Sequence, residues 1–414
     1  MLNDVDRDYI KNNKIIIFLF IIWIFRQLFL LQANEGGVAI NKFVVVQILT
    51  ELGIFGYLLI KKNNFGTIVF FQPITWFAVL YILGMASIFW GVLPIMGCYF
   101  AFQNLLMLYA IYFLASKTKS VFQLERYYIF VNIFVLILFF LRSFFMYNHN
   151  YHSVSFSTIA SLLFVYCITE FNTQKRPPEN IKMLKIGFVV GFVFLVLTSS
   201  SGAIVSTVCG LFVLSLVAKN PMVRLGGILF FTIISICFLL GATERLIVVF
   251  FPNKSAEVIQ SGNGRTLIWQ YILEKAEERP LLGWGYASVE RVLDDWYCTD
   301  AHNAIIGTFG SLGYVGCTIL ILAMLSLLFY LIPKLQYIGF CGWLVAAVVG
   351  LINSNTSNFI TSKAGIHTVM FQMVIILPVF YYQFQHKDEN RSLLKRNPGK
   401  KTKSEEQEKL NAQE

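Results

Sequence analysis

Arg265 and His302 are the two residues whose types and placement suit chemistry best. They stand towards the two ends of one stretch, Ser261 to Gly316, the last part of the longest polar interruption in an otherwise apolar chain. Gly262, Asn263 and Gly264 form a flexible entry to Arg265. From Arg265 to Arg279 the spacing predicts an amphipathic helix, with Leu267, Ile268, Tyr271 and Ile272 on one face and Pro280 ending it. A helix N-terminus presents unpaired N–H groups and the positive end of a dipole. An arginine in that first turn adds a planar fork suited to phosphate, so the segment can clamp a pyrophosphate. The same spacing also fits a solvated surface arginine. At the other end Asp300 occupies an N-cap position before Ala301-His302-Asn303 and an apolar run. His302 is therefore expected in the first turn of a helix that dips into apolar surroundings. A neutral imidazole there can take a proton from a hydroxyl, oriented by Asp300 or Asn303. A structural histidine fits the same position.

Other candidates lie around these two. Leu281 to Tyr286 is a turn with two glycines, whose Trp284 suits a membrane interface or a sugar ring. Trp296 offers the same pair of uses. Ser288 to Tyr297 reads as a short helix carrying Glu290, Asp294 and Asp295. Arg142 lies near the end of an apolar run, where it serves a site or snorkels to headgroups. His149 and His152 in NHNYH read as a polar turn rather than a metal pair. Arg26 and Glu51 each fall about 15–18 Å from the same edge of their apolar runs, at 1.5 Å per helical residue. That common depth predicts a buried structural ion pair.

The elements that must position these residues are helices. The chain is 57% hydrophobic and 14% charged, against about 25% charged in a soluble domain. Its apolar residues fall in blocks of about 20, the length a bilayer core requires of a helix. The expectation is an all-α polytopic membrane protein with about twelve spans. They begin near Ile15, Phe43, Ile68, Ile95, Tyr127, Ser153, Leu184, Ala203, Leu225, Asn303 to Leu312, Tyr337 and Ile366. The tenth is open to a second reading, a short re-entrant helix from Asn303 followed by a full span from about Gly313.

Alternate loops carry Lys61-Lys62, Lys117-Lys119-Arg126, Lys175-Arg176-Lys182-Lys185, Lys219-Arg224 and Lys334, with Arg7, Lys11 and Lys14 before them and a basic tail after. The intervening short loops NEGG, NHNYH, SSSGA and NSNTSN carry no Lys or Arg. This positive-inside alternation divides the chain into five parts. Residues 1–14 form a cytoplasmic N-terminus, 15–241 nine spans, and 242–302 a large extracytoplasmic loop. Residues 303–384 form three further spans, and 385–414 a basic, disordered cytoplasmic tail. The tail's basic residues suit anionic lipid or serve only as a topology determinant.

The net charge of +10 thus sorts by side of the membrane and gives no reason to expect nucleic acid. The seven cysteines show no disulfide or metal spacing, and no cleavable signal sequence is expected. Nucleotide-binding signatures are missing, and nucleotide substrates lie in the cytoplasm. An enzyme acting outside must draw its activated substrate from a lipid carrier.

The ordered set Thr198-Ser199-Ser200-Ser201-Gly202-Ala203, Gly264-Arg265 before Trp269, Pro280-Leu281-Leu282-Gly283-Trp284-Gly285 and Ala301-His302-Asn303 resembles the O-antigen polymerase and ligase superfamily. The similarity covers roughly Thr198 to Gly316. It implies a glycosyltransferase-C-like helical fold, no metal and no cofactor, and a glycan donor on undecaprenyl pyrophosphate. By position the family's pyrophosphate-binding arginine and its loop histidine map onto Arg265 and His302. The family often has arginine where this chain has Ser201, so a second phosphate-binding cation must come from elsewhere. Arg142, Arg245, Arg291 and Lys363 are the outer-side candidates, and Ser201 and Trp284 complete the expected substrate-binding set.

The expected protein is a surface-polysaccharide polymerase of the bacterial cytoplasmic membrane. It would share its pathway with a flippase and a chain-length regulator. A ligase of the same superfamily differs only in acceptor. A flippase or transporter for lipid-linked sugars is the alternative of another class, and its key charges would be expected near the bilayer midplane.

Overall fold

The computed structural model describes residues 4–29, 42–61, 72–145, 153–171, 176–198, 200–218, 220–239, 265–289 and 301–396. Among them all regular structure is helical. In chain order the helices are α1 (Asp4–Phe29), α2 (Lys42–Ile60), α3 (Pro73–Ala86), α4 (Pro94–Ser116), α5 (Val121–Phe145), α6 (Ser153–Phe171) and α7 (Pro178–Thr198). Then follow α8 (Ser201–Val217), α9 (Pro221–Leu239), α10 (Arg265–Glu278), α11 (Ala304–Leu331), α12 (Phe340–Ser354) and α13 (Ile366–Arg396). Every expected span has a helix at its place. Among the described residues six helices are long and apolar enough to cross a membrane, including Pro94–Ser116, Val154–Phe171 and Ile366–His386. The protein is therefore an all-helical, multi-pass membrane protein.

Local chemistry sets the helix limits. Prolines open α3 and α4, where the missing N–H costs nothing. α1 is kinked at Asn13, next to the expected boundary at residue 14. The short helical piece before the kink is tied down by Asp6, which accepts from Arg126 at 3.0 Å, and by the Tyr9 hydroxyl, which donates to Leu114 O at 3.0 Å. The tail expected from residue 385 needs correction. α13 continues to Arg396, because Gln385 to Arg396 contains good helix formers and neither Gly nor Pro. Gln385 Nε2 also holds Ile338 O at 2.7 Å. Residues 397–414 lie outside the described set.

Among the six membrane-length helices, α6 and α13 are the most enclosed. Tyr128, Tyr166, Trp343 and Tyr381 pack there with ring centroids 4.5–6.1 Å apart. α7 lies close against α6 because Gly191 has no Cβ; one would sit 2.9 Å from Phe164 N. Outward faces are apolar, as on α7, where Val189, Phe192, Val196 and Leu197 are exposed to the surroundings of the bundle.

Two polar clusters lie inside α-helical walls. The first joins the end of α6 to the starts of α5, α7 and α12. Arg176 Nε donates to Glu125 Oε1 at 2.9 Å, and its other nitrogens reach the Glu170 carboxylate and Glu170 O. Asn180 and Tyr166 also donate to Glu125, and the Gly342 amide donates to Glu170 Oε1 at 2.7 Å.

The second lies between α1, α2 and α4. Glu51 is 2% exposed and accepts from Trp23, Gln47, Tyr99 and Gln103 at 2.9–3.2 Å. Arg26, expected at the same depth as Glu51, stands on α1 about one turn after Trp23, which donates to Glu51. All four of these hydrogen bonds come from neutral donors.

Candidate active site

α10 and the start of α11 build the candidate site together. Ile272, Val289 and Ala301 are buried as one small cluster, with Ile268, Trp284 and Ile306 packed around it. The expected buried face of α10 is therefore half right. Ile268 and Ile272 face inward, but Leu267 and Tyr271 are 66% and 37% exposed. Ile268, Ile272 and Ala276 follow an i, i+4 row, and that row is the one that docks. Four residues after Arg265, Trp269 Nε1 donates to Ala301 O at 3.0 Å. The helix headed by Arg265 is thereby fastened to the peptide carbonyl just before His302.

His302 itself departs from expectation. Its φ is +51°, a left-handed conformation uncommon outside glycine. It is not in the first turn of α11 but precedes the cap. Asn303 is the N-cap, and its Oδ1 accepts from Ile305 N and Ile306 N at 2.9 and 3.0 Å. Asn303 was a more suitable cap than Asp300 because it immediately precedes the first helical residue. Its oxygen is thus engaged by two backbone amides. Asp300 lies outside the described residues. Arg265 and His302 are both half-buried.

The Pro280–Gly285 turn is a backbone splice. α11 breaks at Gly313, φ +63° and ψ −161°, where the second reading of the tenth span placed its break. A break leaves backbone groups without intrahelical partners, which is costly in apolar surroundings. The turn supplies them. Trp284 N and Gly285 N donate to Gly310 O and Ser311 O at 3.1 and 2.8 Å. Tyr314 N and Val315 N donate to Pro280 O and Leu281 O at 2.8 and 3.3 Å. A Cβ on Gly313 would lie 2.3 Å from Leu281 C, so only glycine fits there. Trp284 donates its indole N–H to Lys275 O at 2.8 Å, and the Arg279 guanidinium sits 4.2 Å from its ring centroid. Tyr286 is fully buried and meets Asn104 and Ser362 O through its hydroxyl.

The loop after α12 gathers the remaining pieces. Gly202, beside Ser201 at the start of α8, lies against Thr356; a Cβ there would be 2.3 Å from the Thr356 hydroxyl. Gly307, one turn after Asn303, lies against Asn358. Thr308 donates to Thr361 Oγ1 at 3.0 Å, and Thr361 donates to Asn358 Oδ1 at 2.8 Å. Asn353 Nδ2 reaches Thr158 Oγ1 on α6 at 3.0 Å. Lys363 is exposed on this loop, beside Ser362, whose carbonyl accepts from Asn104 at 2.7 Å. Thus the SSSGA turn, the α11 start and the Lys363 loop meet at one end of the bundle.

Arg142 is half-buried in the last turn of α5. Arg245, Arg291, His149, His152 and Trp296 lie outside the described residues, as does most of the expected helix from Ser288 to Tyr297. Sequence reasoning passed over Trp269 as a contact and over Asn358, Thr361 and Thr308. The one available signal for Asn358 and Thr361 was an uncharged polar run, NSNTSNFITS, inside an apolar region, and Thr308 had none. Among the described residues no three His, Cys, Asp or Glu side chains come together as a metal site.

A family model described as O-Antigen ligase, Wzy_C, matches residues 186–321. That segment is a domain of the O-antigen polymerase/ligase superfamily. The match spans α8, α10 and the break of α11, so Ser201, Arg265, Trp284 and His302 all fall inside this ligase-type domain. No curated protein matches the chain. The fold, the apolar helices and the domain together give a membrane enzyme of polymerase/ligase type, acting in surface-polysaccharide synthesis.

Proposed function

We propose that the protein is a polysaccharide polymerase of the bacterial cytoplasmic membrane, with both termini in the cytoplasm and the His302 end of the bundle outside. It takes a glycan from undecaprenyl pyrophosphate and transfers it to a hydroxyl of the next lipid-linked repeat unit. The acceptor oxygen bonds to the anomeric carbon, the bond from that carbon to the pyrophosphate oxygen breaks, and the electron pair leaves with the lipid pyrophosphate. His302 accepts the hydroxyl proton. Arg265 neutralises the charge that grows on the leaving group, an effect enlarged at a poorly hydrated membrane edge. Arg142, Arg245, Arg291 and Lys363 are the cations from which a second phosphate contact is drawn, with Ser201 and Trp284 lining the glycan path. The reaction needs no metal and no cofactor.

The observation that carries this reading is the fastening of Arg265's helix to the backbone of His302 through Trp269, within a superfamily domain. The assay is purified protein with a lipid-linked repeat unit, read as a ladder on a gel. A ladder that persists in EDTA and is lost in Arg265→Ala is the expected result. Wild type that flips the lipid-linked glycan but never extends it would make the protein a transporter. Reporter fusions after Thr173 and Lys254 should read cytoplasmic and outside; one side for both would remove the topology.

The description of the matching family favours a second reading, a ligase that delivers the glycan to another acceptor such as a lipid A-core. Offering both acceptors in one reaction separates the two. Gene neighbours separate them as well: a flippase and a chain-length regulator accompany a polymerase, and a lipopolysaccharide-core operon accompanies a ligase.

A further inference from the structure

We infer that Trp269 is the positioning residue for His302, and that its indole N–H sets the spacing between the imidazole and Arg265. The inference rests on the role of His302 given above and adds to it the device that holds the residue in place.

A histidine at φ +51° is held against its intrinsic backbone preference and persists only where its surroundings over-determine it. Three restraints surround it. On the C-terminal side, Asn303 is locked by its cap bonds to Ile305 N and Ile306 N. On the N-terminal side, Ala301 is fully buried against Ile272 and Val289, and it sits so close to α11 that a Cβ on Gly307 would be 3.0 Å from the Ala301 Cβ. The third restraint is the 3.0 Å bond from Trp269 Nε1 to Ala301 O, the carbonyl of the peptide that enters His302.

The first restraint belongs to α11 and would hold His302 relative to α11 alone. The second and third involve α10: Ile272 packs on Ala301, and Trp269 adds the one directional bond among these contacts. Residues 265 and 269 are one turn apart on the same helix face. A bond from residue 269 therefore fixes where residue 265 stands relative to His302. Transfer from a pyrophosphate needs a base on the incoming oxygen and a cation on the leaving one, at a set separation. A misplacement of about 1 Å costs about a hundredfold in rate. Trp269 acts through the backbone of His302 and is a positioning residue, not a catalytic one.

The test uses the full chain in lipid nanodiscs, with two variants. Trp269→Phe keeps an aromatic ring but removes the N–H. Incorporation of 3-benzothienylalanine at position 269 keeps the whole bicyclic ring and removes only the N–H, so it decides the matter if the phenylalanine variant folds poorly. The first readout needs no substrate: the rate at which diethyl pyrocarbonate modifies His302, followed by peptide mass spectrometry with His386 as internal control. Loss of one hydrogen bond should raise that rate about three- to tenfold while His386 is unchanged.

The second readout is turnover. We expect kcat to fall about tenfold or more, with KM for the lipid-linked donor within about twofold, and no further loss when either variant is combined with His302→Ala. An unchanged modification rate in the benzothienyl variant overturns the inference, as does a loss that multiplies with that of His302→Ala. If wild type turns over no lipid-linked glycan, the proposed function fails, and the modification rates still decide whether Trp269 holds His302.

Discussion

The two ends of the bundle solve the problem of polar groups inside apolar walls in opposite ways. At one end the cluster is ionic and closed: Arg176, Glu125 and Glu170 have side chains no more than 1% exposed. Their charged atoms are taken up by each other, by Asn180 and Tyr166, and by the Gly342 amide. At the other end the buried part is neutral. Thr308, Thr361, Asn358 and Asn353 form hydroxyl and amide bonds, and the charged or titratable residues His302, Arg265 and Lys363 remain half-buried or exposed around them. α6 and α12 run from one cluster to the other, since Thr158 and Glu170 on α6, and Gly342 and Asn353 on α12, belong to opposite ends. Buried ions with complete partners tie helices together and have no capacity left for a ligand. A neutral scaffold with accessible ions at its rim holds its geometry and leaves the ions to meet a substrate. The contrast fits the proposal that the first end serves stability and the second serves chemistry.

Breaking the ionic end should have the largest effect on the folded protein. Arg176→Leu leaves two carboxylates buried without their cation and should cost about 3–5 kcal/mol. The measure is thermal unfolding in detergent, with folded yield alongside. Replacing Glu125 and Glu170 by Gln in the same chain should recover much of that loss.

At the other end the loss should fall on rate instead. His302→Ala should slow glycan transfer about 10²–10⁴-fold, with the unfolding temperature unchanged. Arg265→Lys should rescue Arg265→Ala poorly, because an ammonium lacks the two-pronged contact. Wild-type transfer should decline towards acid pH, since protonation removes the base. A normal ladder from His302→Ala would return that residue to a structural role and erase the contrast.

A smaller effect sharpens the comparison within the ionic class. Arg26→Leu removes a cation from Glu51 but leaves the four neutral donors in place. It should cost about 1–3 kcal/mol, less than Arg176→Leu. Arg26→Leu with Glu51→Leu should be at least as stable as Arg26→Leu alone. Smallest of all, Thr361→Val should cost about 1 kcal/mol in stability, with a modest change in rate, because it removes one link of the neutral scaffold.

Much of the helical plan was legible without coordinates. Hydrophobic blocks of membrane length are a local property, so the positions of the six membrane-length helices among the described residues, and of α10, followed from one-dimensional pattern. The place of Arg265 at the start of α10 was legible for a related reason, since a polar residue after glycines is a local signal, whereas the left-handed backbone of His302 ahead of the Asn303 cap was not. The helix break at Gly313 was also open to reading, as an apolar run too long and too rich in glycine for one plain span.

What tertiary structure decided is everything that depends on which faces meet. Leu267 and Ile268 are equal in hydropathy pattern, yet one is exposed and the other docked, because the α11 surface accepts a single row of α10. Arg176 reads as a loop cation in the charge alternation but lies buried between two glutamates from α5 and α6. The Pro280–Gly285 turn reads as an interface anchor, yet its amides and carbonyls complete the broken helix 30 residues further on. Trp269 is one aromatic among many until its N–H meets Ala301 O. In each case the sequence by itself determined a residue's local tendency, to be helical, apolar or charged. The fold alone chose its partner, because hydrogen bonds and ion pairs between distant segments depend on distances that no short stretch of chain contains.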